Sequence, residues 1–345
     1  MPFEIYPHVF WRADPEEYNC SGHTKEEWSA TGLKREGLGL YFIISGLLLM
    51  ILYIIVIMAM SHRSILQTAC FKIMYFNCFI DLFSIAFNSV LTGVLFYQGA
   101  VFCTHPTIGY VPAAFGLAFW CSSCFNCLVI GINRCCTMFK RGEWLFSGQR
   151  TYFWIGMSCL YMIFVATCTR QASFNSALGA WFFFPFIEDL ATEAVKYKNL
   201  VHVGTNVATA IGTTILYVAL CLKLLFTSKV PGQSHMSSYQ YKVFVQCFLV
   251  CTLTGIAAYL YAYMQFFVVP VEFIMMASFA WQFCSGLPCL VYIIVNQTIR
   301  RRVLSLLQKG SMKSAVVTTF YSGSKSNQSG GRTSKTHSTD IGLEH

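Results

Sequence analysis

The sequence predicts an all-α integral membrane protein, a bundle of seven transmembrane helices. Three observations predict it. Only 11% of the 345 residues are charged, while 55% are apolar, and an average soluble domain carries about 25% charge. The charges are also spaced far apart: residues 37–62, 82–133, 151–169, 199–222, 243–271 and 273–299 contain no Asp, Glu, Lys or Arg. Finally, these stretches are continuously apolar, as in 38–60, rather than alternating over about ten residues as barrel strands do. Backbone left bare in lipid must close its own hydrogen bonds, so each stretch is a helix. A soluble enzyme and a disordered chain are excluded on the same grounds.

A crossing takes about 20 residues. Span one is read at 38–60, after an N-terminal segment, 1–37, with seven acidic and four basic residues. That segment has no basic stretch leading into a short apolar core, so span one is expected to serve as the membrane signal itself. Span two is read at 72–97 and span three at 110–133, where Arg134 ends the longest uncharged run. Span four, 152–169, is the shortest, and span five follows at 200–222. Spans six (243–268) and seven (273–297) are joined only by Val269, Pro270, Val271 and Glu272, which predicts a tight helical hairpin. Ile299, Val303, Leu304, Leu306 and Leu307 share one broad face beside Arg300, Arg301, Arg302 and Lys309, an amphipathic pattern suited to a membrane surface. The chain therefore divides into an outer segment 1–37, a membrane domain 38–299, a juxtamembrane helix 300–309 and a tail 310–345. The Ser, Thr and Gly content of the tail predicts disorder.

Orientation follows from Lys and Arg. Seventeen of the 24 basic residues fall in the loops after spans one, three and five and in the tail, which places those segments in the cytoplasm and the N-terminus outside. Asn19-Cys20-Ser21, a glycosylation acceptor pattern, then lies on the exterior. So do Cys20 and Cys103, with Cys168 near the end of span four. An oxidising exterior favours a Cys20–Cys103 disulfide without fixing that pairing.

Residues able to carry chemistry are few. Asp81 is the one acid well inside a span, and a mid-bilayer charge costs about 2.5–3.5 kcal/mol on insertion scales, so it must face the bundle interior with partners. Asn77 lies one turn before it, and Asn88 two turns after it on the same face. Asp81 is read either as an activation switch or as a protonated, hydrogen-bonded structural acid. Cys121, Cys124 and Cys127 have a spacing reminiscent of metal ligands, but zinc needs four ligands and a supporting shell, and small packing residues are the plainer reading. No metal or other cofactor and no nucleic-acid partner are expected. Trp120, His202, Tyr259, Tyr263, Gln265 and Gln282 lie in the outer halves of spans three, five, six and seven. They are the candidates for a ligand pocket, with interfacial belts facing lipid as the alternative for the aromatic ones. His202 is singled out as the one His within a span.

Over about residues 15–309 the chain resembles the nematode serpentine chemoreceptors, specifically serpentine receptor class T. The resemblance is carried by Tyr18-Asn19-Cys20-Ser21 with Trp28, Cys70-Phe71-Lys72-Ile73-Met74, Asn133-Arg134-Cys135, and Gly148-Gln149-Arg150-Thr151 with Trp154. It continues in Trp181-Phe182-Phe183, in Tyr197, Asn199, His202 and Asn206, in Gly286-Leu287-Pro288, and in Tyr292, Asn296 and Thr298-Ile299-Arg300. The resemblance implies a chemosensory G-protein-coupled receptor of the plasma membrane, in sensory neurons, with a small-molecule ligand and a heterotrimeric G protein as partners. Asn133-Arg134-Cys135 is similar in position to the Asp-Arg-Tyr motif of rhodopsin-like receptors, which implies a G-protein-facing switch. A plain positive-inside anchor is the alternative. Span six has no internal proline, so Pro288 with Tyr292 in span seven is the candidate hinge. Phosphorylation of the tail would create an arrestin-type docking segment.

Other classes fit less well. The spans contain no His-Glu-x-x-His and no Gly-x-Ser-x-Gly, and one Asp with one His cannot build a membrane protease site. Residues 273–299 lack the Lys a retinal pigment needs. A seven-span ligand-gated channel or a transporter without G-protein coupling is the remaining rival. No repeat relates the two halves, as transporters commonly show, and a channel resembling the insect odorant receptors would have the opposite orientation.

Overall fold

A computed structural model describes residues 13–14, 17–184, 186, 197–228, 238–267 and 269–308 of the chain. After a short helix α1 (Lys25–Ala30) come α2 (Glu36–Met60) and α3 (Ala69–Ile85), the latter continuing through a π-helical turn, Ala86–Leu91, into α4 (Thr92–Gln98). They are followed by α5 (Pro106–Phe139), α6 (Arg150–Cys168), a hairpin of β1 (Ser173–Asn175) and β2 (Ala180–Phe182), α7 (Leu200–Ser228) and α8 (Ser238–Phe266). The last span is made of α9 (Val271–Gly286) and α10 (Pro288–Val295), and a final helix α11 covers 297–308. Among the described residues six stretches are long and apolar enough to cross a membrane, and α9 with α10, bent by 42°, make the seventh. The protein is a multi-pass membrane protein with a seven-helix bundle.

Local chemistry explains the boundaries. Thr24 opens α1 with a capping box: its hydroxyl accepts from the Glu27 N–H at 3.2 Å, and its own N–H donates to the Glu27 carboxylate at 2.8 Å. That backbone hydrogen bond holds the Glu27 carboxyl below its ordinary range. Gly99, at φ +69°, closes α4 in the left-handed conformation glycine tolerates. Span three is longer than the expected 110–133 because Pro106 starts the helix in its first position, where no N–H is required, and the helix runs to Phe139. It is the central span, packed on α3, α6, α7 and α8.

Spans one and two cross at two glycines. A Cβ on Gly39 would sit 2.7 Å from the Gly93 carbonyl oxygen, and one on Gly93 would sit 2.7 Å from that of Gly39. Small residues let membrane helices approach this closely, where lipid supplies no hydrophobic drive for association.

The bundle is all-α as expected, and the loop between spans four and five adds a short β-hairpin with Phe174 opposite Trp181. Its turn is built by the Asn175 side chain, which accepts from the N–H groups of Ala177 (3.0 Å) and Leu178 (3.2 Å), and by Gly179 at φ +77°. Span seven is not one helix: Pro288 has no N–H to continue the ladder, and the axis bends there. The broad apolar face at 299–307 is also divided. Ile299 and Val303 enter the main core, while Leu304, Leu306 and Leu307 remain exposed. Lys309 and the tail 310–345 lie outside the described residues.

Candidate functional site

A cavity of about 620 Å³ opens among spans two, three, five, six and seven, at the Cys103 end of the bundle. Its walls are largely apolar. Pro112, Gly116, Leu117 and Trp120 come from α5, Tyr261 and Met264 from α8, and Ile274 and Trp281 from α9, while Phe182, Phe183 and Phe184 reach in from the hairpin side. His202 and Gln265 are among its few polar neighbours. Asn199 positions His202: its side-chain oxygen accepts the His202 N–H at 2.9 Å, the arrangement of an N-cap, while its amide donates to the Arg170 carbonyl at 2.7 Å.

One polar relay crosses the wall. The Trp120 indole N–H donates to the Asn206 side-chain oxygen at 2.9 Å, and the Asn206 amide nitrogen lies 3.1 Å from Nε2 of His202. The His202 ring packs between Phe183 (5.1 Å) and Tyr261 (5.9 Å).

The hairpin and the N-terminal segment are tied down around this end. The Trp181 indole donates to Thr92 Oγ1 at 2.9 Å, and the Arg35 guanidinium donates to the carbonyls of Ser176 and Ala177, both at 3.3 Å. Cys20 and Cys103 form a disulfide. Buried Arg170 pairs with Glu17 at 2.9 Å. Tyr18, whose phenol burial pushes up out of its ordinary range, packs edge-on against Tyr110 and Tyr197.

The residues proposed for a pocket do not all meet there. Trp120, His202 and Gln265 line the cavity. Tyr259 and Tyr263 do not: both are about half exposed on the bundle's outside, Tyr259 bonded to Thr214 at 2.8 Å and Tyr263 stacked on Phe267. Gln282 is fully buried away from the cavity, donating to Ser89 (2.6 Å) and Ser45 (2.8 Å) between spans one, two and seven. Asn206, Tyr261 and Trp281 were not among the sequence-derived candidates. A one-turn spacing of Asn206 from His202 was the signal available for the first. Nothing in a uniformly aromatic span distinguishes Tyr261 from Tyr259 or Tyr263.

A second polar cluster occupies mid-bundle. Asp81 is buried; Tyr53 Oη stands 3.1 Å and Asn77 Nδ2 3.0 Å from its Oδ2, and Asn126 donates to Asn77 at 3.1 Å. Tyr53 Oη is also 2.6 Å from the Ser285 carbonyl oxygen. A carbonyl only accepts and a phenol has one proton, so that proton goes to Ser285. The Tyr53–Asp81 contact then needs a proton carried by the Asp81 carboxyl. Asn88 does not meet Asp81 as its helical spacing predicts. The π-helical turn rotates it toward span seven, where it donates to Ser285 Oγ (3.2 Å) and the Trp281 carbonyl (3.3 Å). Asp81 and Asn88 are joined through Tyr53 and Ser285.

At the other end of the bundle Arg134 donates to the neighbouring Asn133 side chain at 2.7 Å. Tyr292 is fully buried, and Asn296 joins span seven to span six by donating to Gln246 at 3.2 Å. Among the described residues no three His, Cys, Asp or Glu side chains gather into a metal site.

Residues 5–316 match the family described as serpentine type 7TM GPCR chemoreceptor Srt. The chain is also similar to Serpentine receptor class T-55 of Caenorhabditis elegans, with 28% identity over 296 residues that cover 84% of this chain and 80% of that one.

Proposed function

Since the chain belongs to the Srt family of serpentine seven-transmembrane chemoreceptors, we propose that it binds an environmental small molecule in the cavity at the Cys103 end and activates a heterotrimeric G protein at the Arg134 end. The cavity carries the reading. It is apolar with a few placed polar groups, and it is walled by five different spans, so an occupant can bias how those spans pack. Trp120, His202 and Gln265 are its ligand contacts. Asp81, Asn88, Pro288 and Tyr292 form the mid-bundle switch, and Asn133 with Arg134 meets the G protein.

The receptor sits in the plasma membrane of sensory neurons with Cys20, Cys103 and a glycosylated Asn19 outside. Arrestin binds the phosphorylated tail. The 17 basic residues on the opposite side support this orientation.

The test is expression with a second-messenger reporter against a panel of volatile and water-soluble cues. A cue that raises the signal should lose potency at least tenfold with Trp120→Ala or His202→Ala at equal surface level. Arg134→Ala should abolish the signal while leaving cue binding intact. Ionic currents that persist without G proteins would overturn the reading in favour of a channel. Glycosidase treatment should shift the mobility of the full chain but not that of an Asn19→Gln variant.

A further inference from the structure

The relay on the cavity wall specifies the chemistry of the occupant. The Trp120 indole can only donate, so the Asn206 atom 2.9 Å away is the carboxamide oxygen and the orientation of that amide is settled. Its nitrogen therefore faces His202, 3.1 Å from Nε2 and 3.5 Å from Nδ1. An N–H can be received only by a bare ring nitrogen, because an imidazolium would oppose N–H to N–H. The ring is thus neutral, and whichever nitrogen accepts from Asn206, the other carries hydrogen. That second N–H has no acceptor among the described residues, on a ring that lines the cavity. Among the described residues the lining includes no carboxylate to pair with a cation, and the one Lys there, Lys198, holds its ammonium over the exposed Phe266 ring at 5.6 Å. A charged group carried into this apolar space would be left without a partner, at a cost that excludes it. A 150 Å³ cavity holds one benzene, so about 620 Å³ admits two or three rings or a chain of similar bulk.

We infer that the cavity takes an uncharged, mainly apolar molecule bearing one hydrogen-bond acceptor, a ketone, aldehyde, ester or ether oxygen, which receives the free N–H of His202. This rests on the reading of the cavity as the ligand site.

The experiment uses the full chain in lipid nanodiscs and equilibrium dialysis against four probes of one shape: 2-acetylnaphthalene, 2-ethylnaphthalene, 2-naphthoate and 2-(aminomethyl)naphthalene, with empty nanodiscs as the partition control. The ketone should bind roughly tenfold more tightly than the ethyl compound, the size of one hydrogen bond, and the two charged probes should not exceed the control. His202→Phe should abolish the preference for the ketone over the ethyl compound, with unchanged helical circular dichroism and monodisperse elution showing that the variant is folded. His202→Gln, which keeps an acceptor for Asn206 and an N–H for the ligand, should restore most of the preference. A charged probe binding as well as the ketone, or an unchanged ketone preference in His202→Phe, overturns the inference alone. Failure of all four probes removes the cavity as a ligand site and takes the inference with it. The expected binding pattern without any cellular response leaves the inference standing and removes only G-protein coupling.

Discussion

Tyr53 donates its one proton to the Ser285 carbonyl and thereby links span one to span seven across the acid of span two. Removing that hydroxyl leaves two buried polar groups unsatisfied, so Tyr53→Phe should lower the unfolding free energy by about 1–3 kcal/mol. Thermal unfolding of the purified chain, with Tyr41→Phe as the exposed control, measures it. Asp81→Asn should lower the unfolding free energy by about 1–3 kcal/mol, because an amide nitrogen in place of Oδ2 keeps a donor toward Tyr53 but cannot accept from Asn77 as that oxygen does. If activation requires that carboxyl to lose its proton, the same variant should respond weakly to agonist at normal surface level, and undiminished signalling would refute the switch. Asp81 itself is legible in the sequence, since a lone acid in an apolar run must be buried and partnered. Tyr53 and Ser285 are not. Many Tyr and Ser residues occur in the spans, and their selection depends on how three helices rotate about one another.

At the scale of elements, periodicity and composition locate every span but not its departures from a straight helix. The π-helical turn at Ala86–Leu91 contains neither Pro nor Gly and is written in no local signal, yet it decides that Asn88 serves span seven rather than Asp81. The bend at Pro288 is legible, because a residue without an N–H interrupts the ladder wherever it stands. Pro288→Ala should straighten α9 and α10 from 42° toward one axis, as read by spin-label distances across the span. A bend that persists would place its cause in packing rather than in the ring. The Gly39–Gly93 crossing makes a second claim. Gly93→Leu should push spans one and two apart and reduce surface expression by more than half, whereas Gly37→Leu, where a Cβ meets nothing within 4 Å, should not.

The whole molecule shows why the pocket is harder to read than the fold. Seven crossings follow from apolar length alone, a property each span carries by itself. The cavity is a property of the assembly. Tyr259, Tyr261 and Tyr263 are indistinguishable in sequence, and only the rotation of α8 turns Tyr261 inward and leaves the others about half exposed on the outside. The hairpin roof is equally a product of assembly, held by Trp181 on Thr92 and by Arg35 on the turn. Reduction of Cys20–Cys103, or the double variant Cys20→Ser with Cys103→Ser, should release the N-terminal segment from span three and destabilise the chain by about 2–4 kcal/mol. A membrane-impermeant reductant acting on intact cells, followed by thermal unfolding, measures this and reports which face the bond occupies.

The bond between Cys20 and Cys103 joins residues 83 positions apart, and the ring it closes contains all of spans one and two. Two cysteines can join only on the same side of a bilayer, so the intervening chain must cross an even number of times whichever side that is. During synthesis the bond cannot close until span two has brought Cys103 back across, so its presence records that the first two spans entered the membrane as a pair. A chain in which span two failed to insert would leave Cys20 and Cys103 on opposite faces, with both thiols open to trapping by alkylation.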